Sequence, residues 1–127
     1  MTAINGIDVS VWQGAIDWAR VKAGGVNFAM VRAGYGLAAD PNFKRNMEGA
    51  AAQGIPVGAY LYSRAVTTGE AEEEAAFLLE LAKPYQLVYP ASLDMESPGQ
   101  HALTTDQRTE LALAFCGRVE QGGLIPA

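Results

Sequence analysis

Strand-patterned and helix-patterned segments alternate along this chain, and few architectures accept that order. Ile4 to Ser10 is short, apolar and β-branched; Ile16 to Ala23 then carries apolar residues at Ile16, Ala19 and Val21 before Gly24-Gly25. Val26 to Ala33 is a second apolar run, closed by Gly34-Tyr35-Gly36. A helix is expected from Asn42 to Gln53, ended by Gly54, whose freedom suits a helix C-terminus. Ile55 to Tyr62 reads as the third strand. Glu70 to Lys83 places Ala71, Ala75, Leu78, Leu79 and Ala82 at a helical period, with acidic residues at its start where the helix dipole favours them. Leu87 to Glu96 is the fourth strand, interrupted at Pro90. A helix starting at Thr104 or Thr105 runs to Glu120, and Thr105-x-x-Arg108 lacks the full capping box. Gly122-Gly123 ends it, and Leu124-Ile125 is a candidate start of a fifth strand.

Connections of this length join parallel strands by right-handed helical crossovers. The expected class is α/β: a parallel (β/α) TIM-like barrel, here its first four βα units plus the start of a fifth strand. A whole barrel takes about 250 residues. Residues 1–127 are therefore expected to form a single domain, C-terminally incomplete.

Charge and composition remove several functions. Nine Lys/Arg against 14 Asp/Glu give a net charge of −5, without a basic cluster. Nucleic acid and anionic membrane surfaces are thus excluded as expected partners. The apolar runs, such as Ile55 to Leu61, are far short of a membrane span. Cys116 is the one cysteine and His101 the one histidine, so neither an internal disulfide nor a thiolate or histidine metal site is expected. No cofactor is expected either. The start Met1-Thr2-Ala3-Ile4-Asn5 has no basic segment or long apolar stretch, so no signal peptide is expected in this chain.

Acidic residues in apolar strands need an explanation, because a buried unpaired charge costs several kcal/mol. Asp8 stands in Gly6-Ile7-Asp8-Val9-Ser10, and Asp94 and Glu96 stand in Leu93-Asp94-Met95-Glu96, at the C-terminal ends of their strands. Barrel enzymes place their chemistry at that end. Strand alternation would point Asp94 and Glu96 to one face, their Cα atoms ~6.6 Å apart. Two carboxyls so close push one pKa up, leaving one as an acid and the other charged. Such a pair suits glycoside hydrolysis. The plainer alternative is a loop cap at Asp94, a solvated Glu96 and ordinary turn chemistry at Asp8.

The residues then form a longer pattern. Gly6-Ile7-Asp8-Val9-Ser10-x-Trp12-Gln13-Gly14-x-Ile16-Asp17-Trp18 resembles the opening of glycoside hydrolase family 25, the lysozymes (N-acetylmuramidases) of bacteria and their phages. The resemblance continues through Val31-Arg32-Ala33-Gly34-Tyr35-Gly36, Asp40-x-x-Phe43-x-x-Asn46, Gly54-Ile55-Pro56-Val57-Gly58-Ala59-Tyr60-x-Tyr62 and Leu93-Asp94-x-Glu96. It implies hydrolysis of the β-1,4 bond between N-acetylmuramic acid and N-acetylglucosamine, with peptidoglycan glycan strands as partner and the bacterial cell wall as the place of action. Secretion or phage release would bring the chain there. It also implies roles: Glu96 as general acid, Asp94 as the carboxylate that steadies the developing positive charge or orients the acetamido group, and Asp8 as a third acid of the pocket. A carbohydrate-binding remnant without catalysis, or an inactive fragment of a longer lysozyme, is the competing reading.

Further expectations attach to single residues. Tyr60 and Tyr62 share one strand face, for sugar contact or for half-buried aromatic packing. Arg32 is expected at the substrate site, paired with Asp8. Trp18 and Phe43 read as packing between helices and barrel, whereas Trp12 follows the Asp8 loop and is a candidate cleft residue. His101 reads as an exposed loop histidine, Cys116 as a buried structural thiol, and Glu70, Glu72, Glu73 and Glu74 as a solvated helix start. Like-charge repulsion from Asp94 is expected to keep the proton on Glu96. Open strand edges with apolar faces, from Val26 to Val31 and Ile55 to Leu61, call for a homodimer or the missing half of a barrel.

Overall fold

A computed structural model describes residues 3–127; Met1 and Thr2, part of the start in which no signal peptide is expected, lie outside the described residues. In chain order the elements are β1 (Gly6–Val9), a 3-10 turn (Val11–Gln13), α1 (Trp18–Ala23), β2 (Phe28–Tyr35), β3 (Ala38–Ala39), α2 (Phe43–Ala52), β4 (Val57–Tyr62), α3 (Thr68–Ala82), β5 (Ala91–Asp94), α4 (Pro98–His101) and α5 (Thr105–Gln121). β1, β2, β4 and β5 are hydrogen-bonded side by side in that order, all parallel. Each is followed by a helix, which yields the four expected βα units. Among the described residues the sheet is open, with α/β layering and no closure into a ring.

Strand alternation sorts the side chains into two faces. Val9, Ala29, Val31, Ala59, Leu61 and Ala91 are buried in one core with Met47, Leu78 and Phe115 from the helices. The intervening residues Asp8, Met30, Arg32, Tyr60, Ser92 and Asp94 face the other way, in register rows that run Asp8–Met30–Gly58 and Arg32–Tyr60–Ser92. This corrects the expected exposed faces. The aliphatic residues of the Val26 and Ile55 runs lie largely under the helices, and the open face carries half-buried Phe28, Met30 and Tyr60 instead. Phe28 is partly covered by Tyr89, stacked at 4.6 Å.

The fourth strand and β2 have other boundaries than the sequence led one to expect. The fourth strand begins at Ala91, because Pro90 has no N–H for the ladder; its carbonyl still accepts from Ala59 N at 3.1 Å. β2 does not stop at Ala33 but continues past a bulge between Arg32 and Gly34 into a hairpin with β3. A Cβ on Gly34 would lie 2.7 Å from the Ala38 carbonyl, so the tight return needs glycine there. Of the two expected caps the last helix uses Thr104, and its box is complete: the Thr104 side chain accepts from Gln107 N, and the Gln107 side chain accepts from Thr104 N. Beyond that helix the chain runs parallel to β5, with Ala91 N donating to Ile125 O (2.8 Å) and Leu93 N to Ala127 O (3.0 Å).

Candidate active site

The C-terminal ends of the parallel strands open onto a cavity of about 460 Å³ lined by Asp8, Met30, Tyr60, Ser92, Leu93, Asp94 and Glu96. Asp8 arrives from β1, Met30 from β2, Tyr60 from β4, and Ser92 and Asp94 from β5. The floor is shaped by an absence of side chain. A Cβ on Gly58 would sit 2.6 Å from both Met30 Sδ and the Pro90 carbonyl, so only glycine lets Met30 lie across β4 here.

Three acids and one tyrosine named from the sequence therefore meet in one place, and two residues do not line it. Tyr62 sits one row further along β4, opposite Asp94, and stacks on Tyr35 at 4.7 Å. Arg64 lies over the same Tyr35 ring at 5.1 Å. Arg32 pairs with Asp40, not with Asp8 as expected: Nε to Oδ2 is 2.9 Å, with the side chains 12% and 0% exposed. The β2–β3 hairpin folds the chain back and brings Asp40 beside Arg32, whereas Asp8 is exposed in the row of Met30. Asp40 also accepts from Val11 N (2.9 Å) and Asn42 N (2.8 Å). One buried carboxylate thus ties β2, the turn after β1 and the start of α2 together.

The expected strand geometry of the acid pair needs correction as well. β5 ends at Asp94, so Glu96 stands beyond the strand, exposed, where the chain turns toward α4. The Asp94 carboxyl is raised, to about 6. Burial is the largest cause, followed by the hydrogen bond with Glu96 and the charges of Glu96 and Asp8; Arg32 acts in the opposite direction. The more enclosed carboxyl pays the larger desolvation penalty, and sequence spacing alone does not reveal which one that is. Tyr60 is pushed up by burial and then by Asp8, so its phenol keeps its proton and can donate a hydrogen bond. Tyr62 is likewise raised, by desolvation first and then by Tyr35, Glu96 and Asp94.

Elsewhere, Trp18 and Phe43 are buried, Phe43 edge-on to Tyr85 at 5.6 Å. Trp12 is 81% exposed on the capped turn after β1 and does not line the cavity. His101 is exposed at the end of α4. Cys116 is half-buried rather than buried, and burial followed by the Glu120 charge pushes its thiol up. The acidic helix start is not uniformly solvated: Glu74 is 3% exposed and accepts from Ser63 Oγ (2.6 Å) and Arg64 N (2.8 Å). The helical period held this signal, since Glu74 falls on the face of Ala71, Ala75 and Leu78. Among the described residues no group of three His, Cys, Asp or Glu side chains is placed to hold a metal ion. No helix there is long and apolar enough to cross a membrane.

The chain is similar to proteins of known structure and sequence. The sequence model described as Glycosyl hydrolases family 25 matches residues 7–125. Lysozyme M1 of Streptomyces globisporus is 42% identical over 64 residues, which is 50% of this chain and 22% of that protein. The crystal structure of the bacterial lysozyme from Streptomyces coelicolor superposes with a TM-score of 0.79 at 30% identity, over 95% of this chain and 59% of that one. The modular autolysin LytC from Streptococcus pneumoniae, also solved in complex with a synthetic peptidoglycan ligand, gives 0.81 at 28% identity, over 94% of this chain and 30% of that one. The chain thus spans less than two thirds of each of these relatives. With the family pattern running from Ile7 to Ile125, the chain belongs to glycosyl hydrolases family 25.

Proposed function

We propose that this chain is a lysozyme-type glycoside hydrolase that cleaves β-1,4 bonds between N-acetylmuramic acid and N-acetylglucosamine in peptidoglycan, at the bacterial cell wall after secretion or phage release. The observation that carries this reading is the convergence of Asp8, Asp94, Glu96 and Tyr60 on one cavity at the C-terminal ends of parallel strands. Exposed Glu96 is free to reach a glycosidic oxygen and serves as general acid. Asp94 and Glu96 form a hydrogen-bonded pair, with Asp94 raised to about 6. When a substrate acetamido N–H donates to Asp94, the ionised form of Asp94 is favoured and the shared proton passes to Glu96. Glu96 then protonates the leaving oxygen, while the Asp94 carboxylate stabilises the charge developing at the sugar. Asp8 adds negative potential on the same face. Tyr60 and Tyr62 offer phenol groups to the sugar, and Arg32, held by Asp40, acts on the substrate site through the local potential.

The open sheet is read as part of a TIM-like barrel, and residues 1–127 as one unit of its catalytic domain. Its strand order and the pairing of Ile125 and Ala127 beside β5, where a next strand belongs, support that reading. The barrel edges are met by further strands, from a longer polypeptide or from a second copy. The test is turbidity clearing of purified cell walls. The unaltered chain clears them; Glu96→Gln stays folded and loses at least about 100-fold in rate, the scale of general acid catalysis. Retention of the chain on walls without clearing would contradict the enzymatic reading and leave a binding protein.

A further inference from the structure

Ser63 is the first residue after β4, and it holds the acid-bearing segment at both ends. Its N–H donates to the Asp94 carbonyl at 2.8 Å. Its hydroxyl donates to Glu74 Oε1 (2.6 Å) and accepts from Gln100 Nε2 (2.8 Å) and Ala65 N (3.2 Å). A hydroxyl has one hydrogen and two lone pairs, so Ser63 is fully used. Gln100 sends its second amide hydrogen to the Ala65 carbonyl at 2.9 Å. Glu74 completes the cluster by accepting from Arg64 N. The segment from Asp94 to Gln100, which contains Glu96, is therefore anchored on one side by a backbone bond to Ser63 and on the other by a side-chain bond to the same residue.

Ser63, Glu74 and Gln100 are 1%, 3% and 1% exposed. A network so deeply buried gains little over apolar packing of similar volume, since each group must first be desolvated. Its distinctive contribution is direction: hydrogen bonds fix angles and separations that apolar contacts leave loose. The bonding pattern also requires an acceptor at Glu74, because the Ser63 hydroxyl has no lone pair left for a proton from the carboxyl. None of these three residues lines the cavity.

We propose that Glu74 and Gln100, acting through Ser63, are positioning residues that set the separation and enclosure of the Asp94 and Glu96 carboxyls. The role presupposes the hydrolase reading above, but its geometry is measurable without any cleavage. The groups whose charges act on Asp94 are Glu96 and Asp8, which favour its neutral form, and Arg32, which opposes it. Loosening the segment draws Glu96 away and admits water, and both changes move Asp94 toward an ordinary carboxylate.

Carboxyl-carbon NMR titration of Asp94 in the full chain tests this. In folded Glu74→Gln and Gln100→Leu the Asp94 midpoint moves down by about half a pH unit or more, while Glu73→Gln, an exposed neighbour, leaves it in place. Wall clearing by the first two variants falls about tenfold in kcat with KM little changed, the pattern of a misplaced reacting group. An unmoved Asp94 midpoint in either folded variant would overturn the proposal. The unaltered chain supplies a check that needs no substitution: the Ser63 amide is predicted to exchange with solvent as slowly as the β4 ladder amides. Exchange as fast as that of the exposed Val66 and Thr67 amides would equally overturn it. Absence of clearing by the unaltered chain, with these NMR results intact, would refute the hydrolase reading and leave the positioning geometry standing.

Discussion

Asp94 and Glu96 stand two residues apart but occupy different surroundings, one partly enclosed at the end of β5 and the other exposed beyond it. Asp94, raised from 3.8 to about 6, binds a proton in the folded chain over a pH range where the unfolded chain has released it. Folding is thus favoured by this group at the acidic end of that window, and the contribution is lost as pH rises toward about 6 and beyond. Asp94→Asn should accordingly melt a few degrees higher than the unaltered chain at pH 7 and show little difference near pH 4. An Asp94→Asn variant that melts lower at pH 7 would contradict the assignment. In the proposed mechanism the same shared proton sets activity. Clearing should decline as pH rises through about 6, and Asp94→Asn should move the declining limb downward by removing the like charge beside Glu96. The identity of the acids was readable from the sequence, because charges in apolar strands are costly and stood out at Asp8, Asp94 and Glu96. The raised pKa of Asp94 was not, because it depends on enclosure by residues far away in the chain.

At the scale of elements, the hairpin after β2 determines more than its two-residue partner strand suggests. It returns Asp40 beside Arg32 and lets one carboxylate also hold the turn after β1 and the start of α2. Removing that carboxylate leaves Arg32 largely buried without its partner. Asp40→Ala should cost about 3–5 kcal/mol in urea unfolding, as for other buried pairs broken on one side. It should also weaken clearing, because Arg32 loses its fixed position. A loss below about 1 kcal/mol would show that water replaces the pair. Strand and helix order was legible from hydrophobic period and glycine punctuation, and Trp18 and Phe43 are buried as expected of packing residues. The Asp40 contact was hidden by a reversal of direction that Gly34 and Gly36 permit without specifying. Glu74 was hidden differently. Its acidic neighbours dominate a local reading, although its helical phase with Ala71, Ala75 and Leu78 placed it inward.

For the whole molecule, the sheet presents two edges and one open face. Ile4 before β1 is 72% exposed and Ile125 beside β5 is 66% exposed, so apolar groups mark both edges. Among the described residues β1 has a strand partner on one side only. Such edges template further pairing. Sedimentation at micromolar concentration should therefore give species larger than the 13.4 kDa of one chain. A cooperatively melting monomer would mean that Phe28, Met30 and Tyr89 cover the face well enough alone. The open face is also where the acids stand, so the proposed assembly and the proposed activity share one surface. The decisive measurement is mass analysis of glycan fragments released from purified cell walls. The unaltered chain should release fragments with new N-acetylmuramic acid reducing ends, and folded Glu96→Gln should release none above background. Equal release by the two, or fragments ending in N-acetylglucosamine, would contradict the assignment of Glu96 as proton donor in a muramidase.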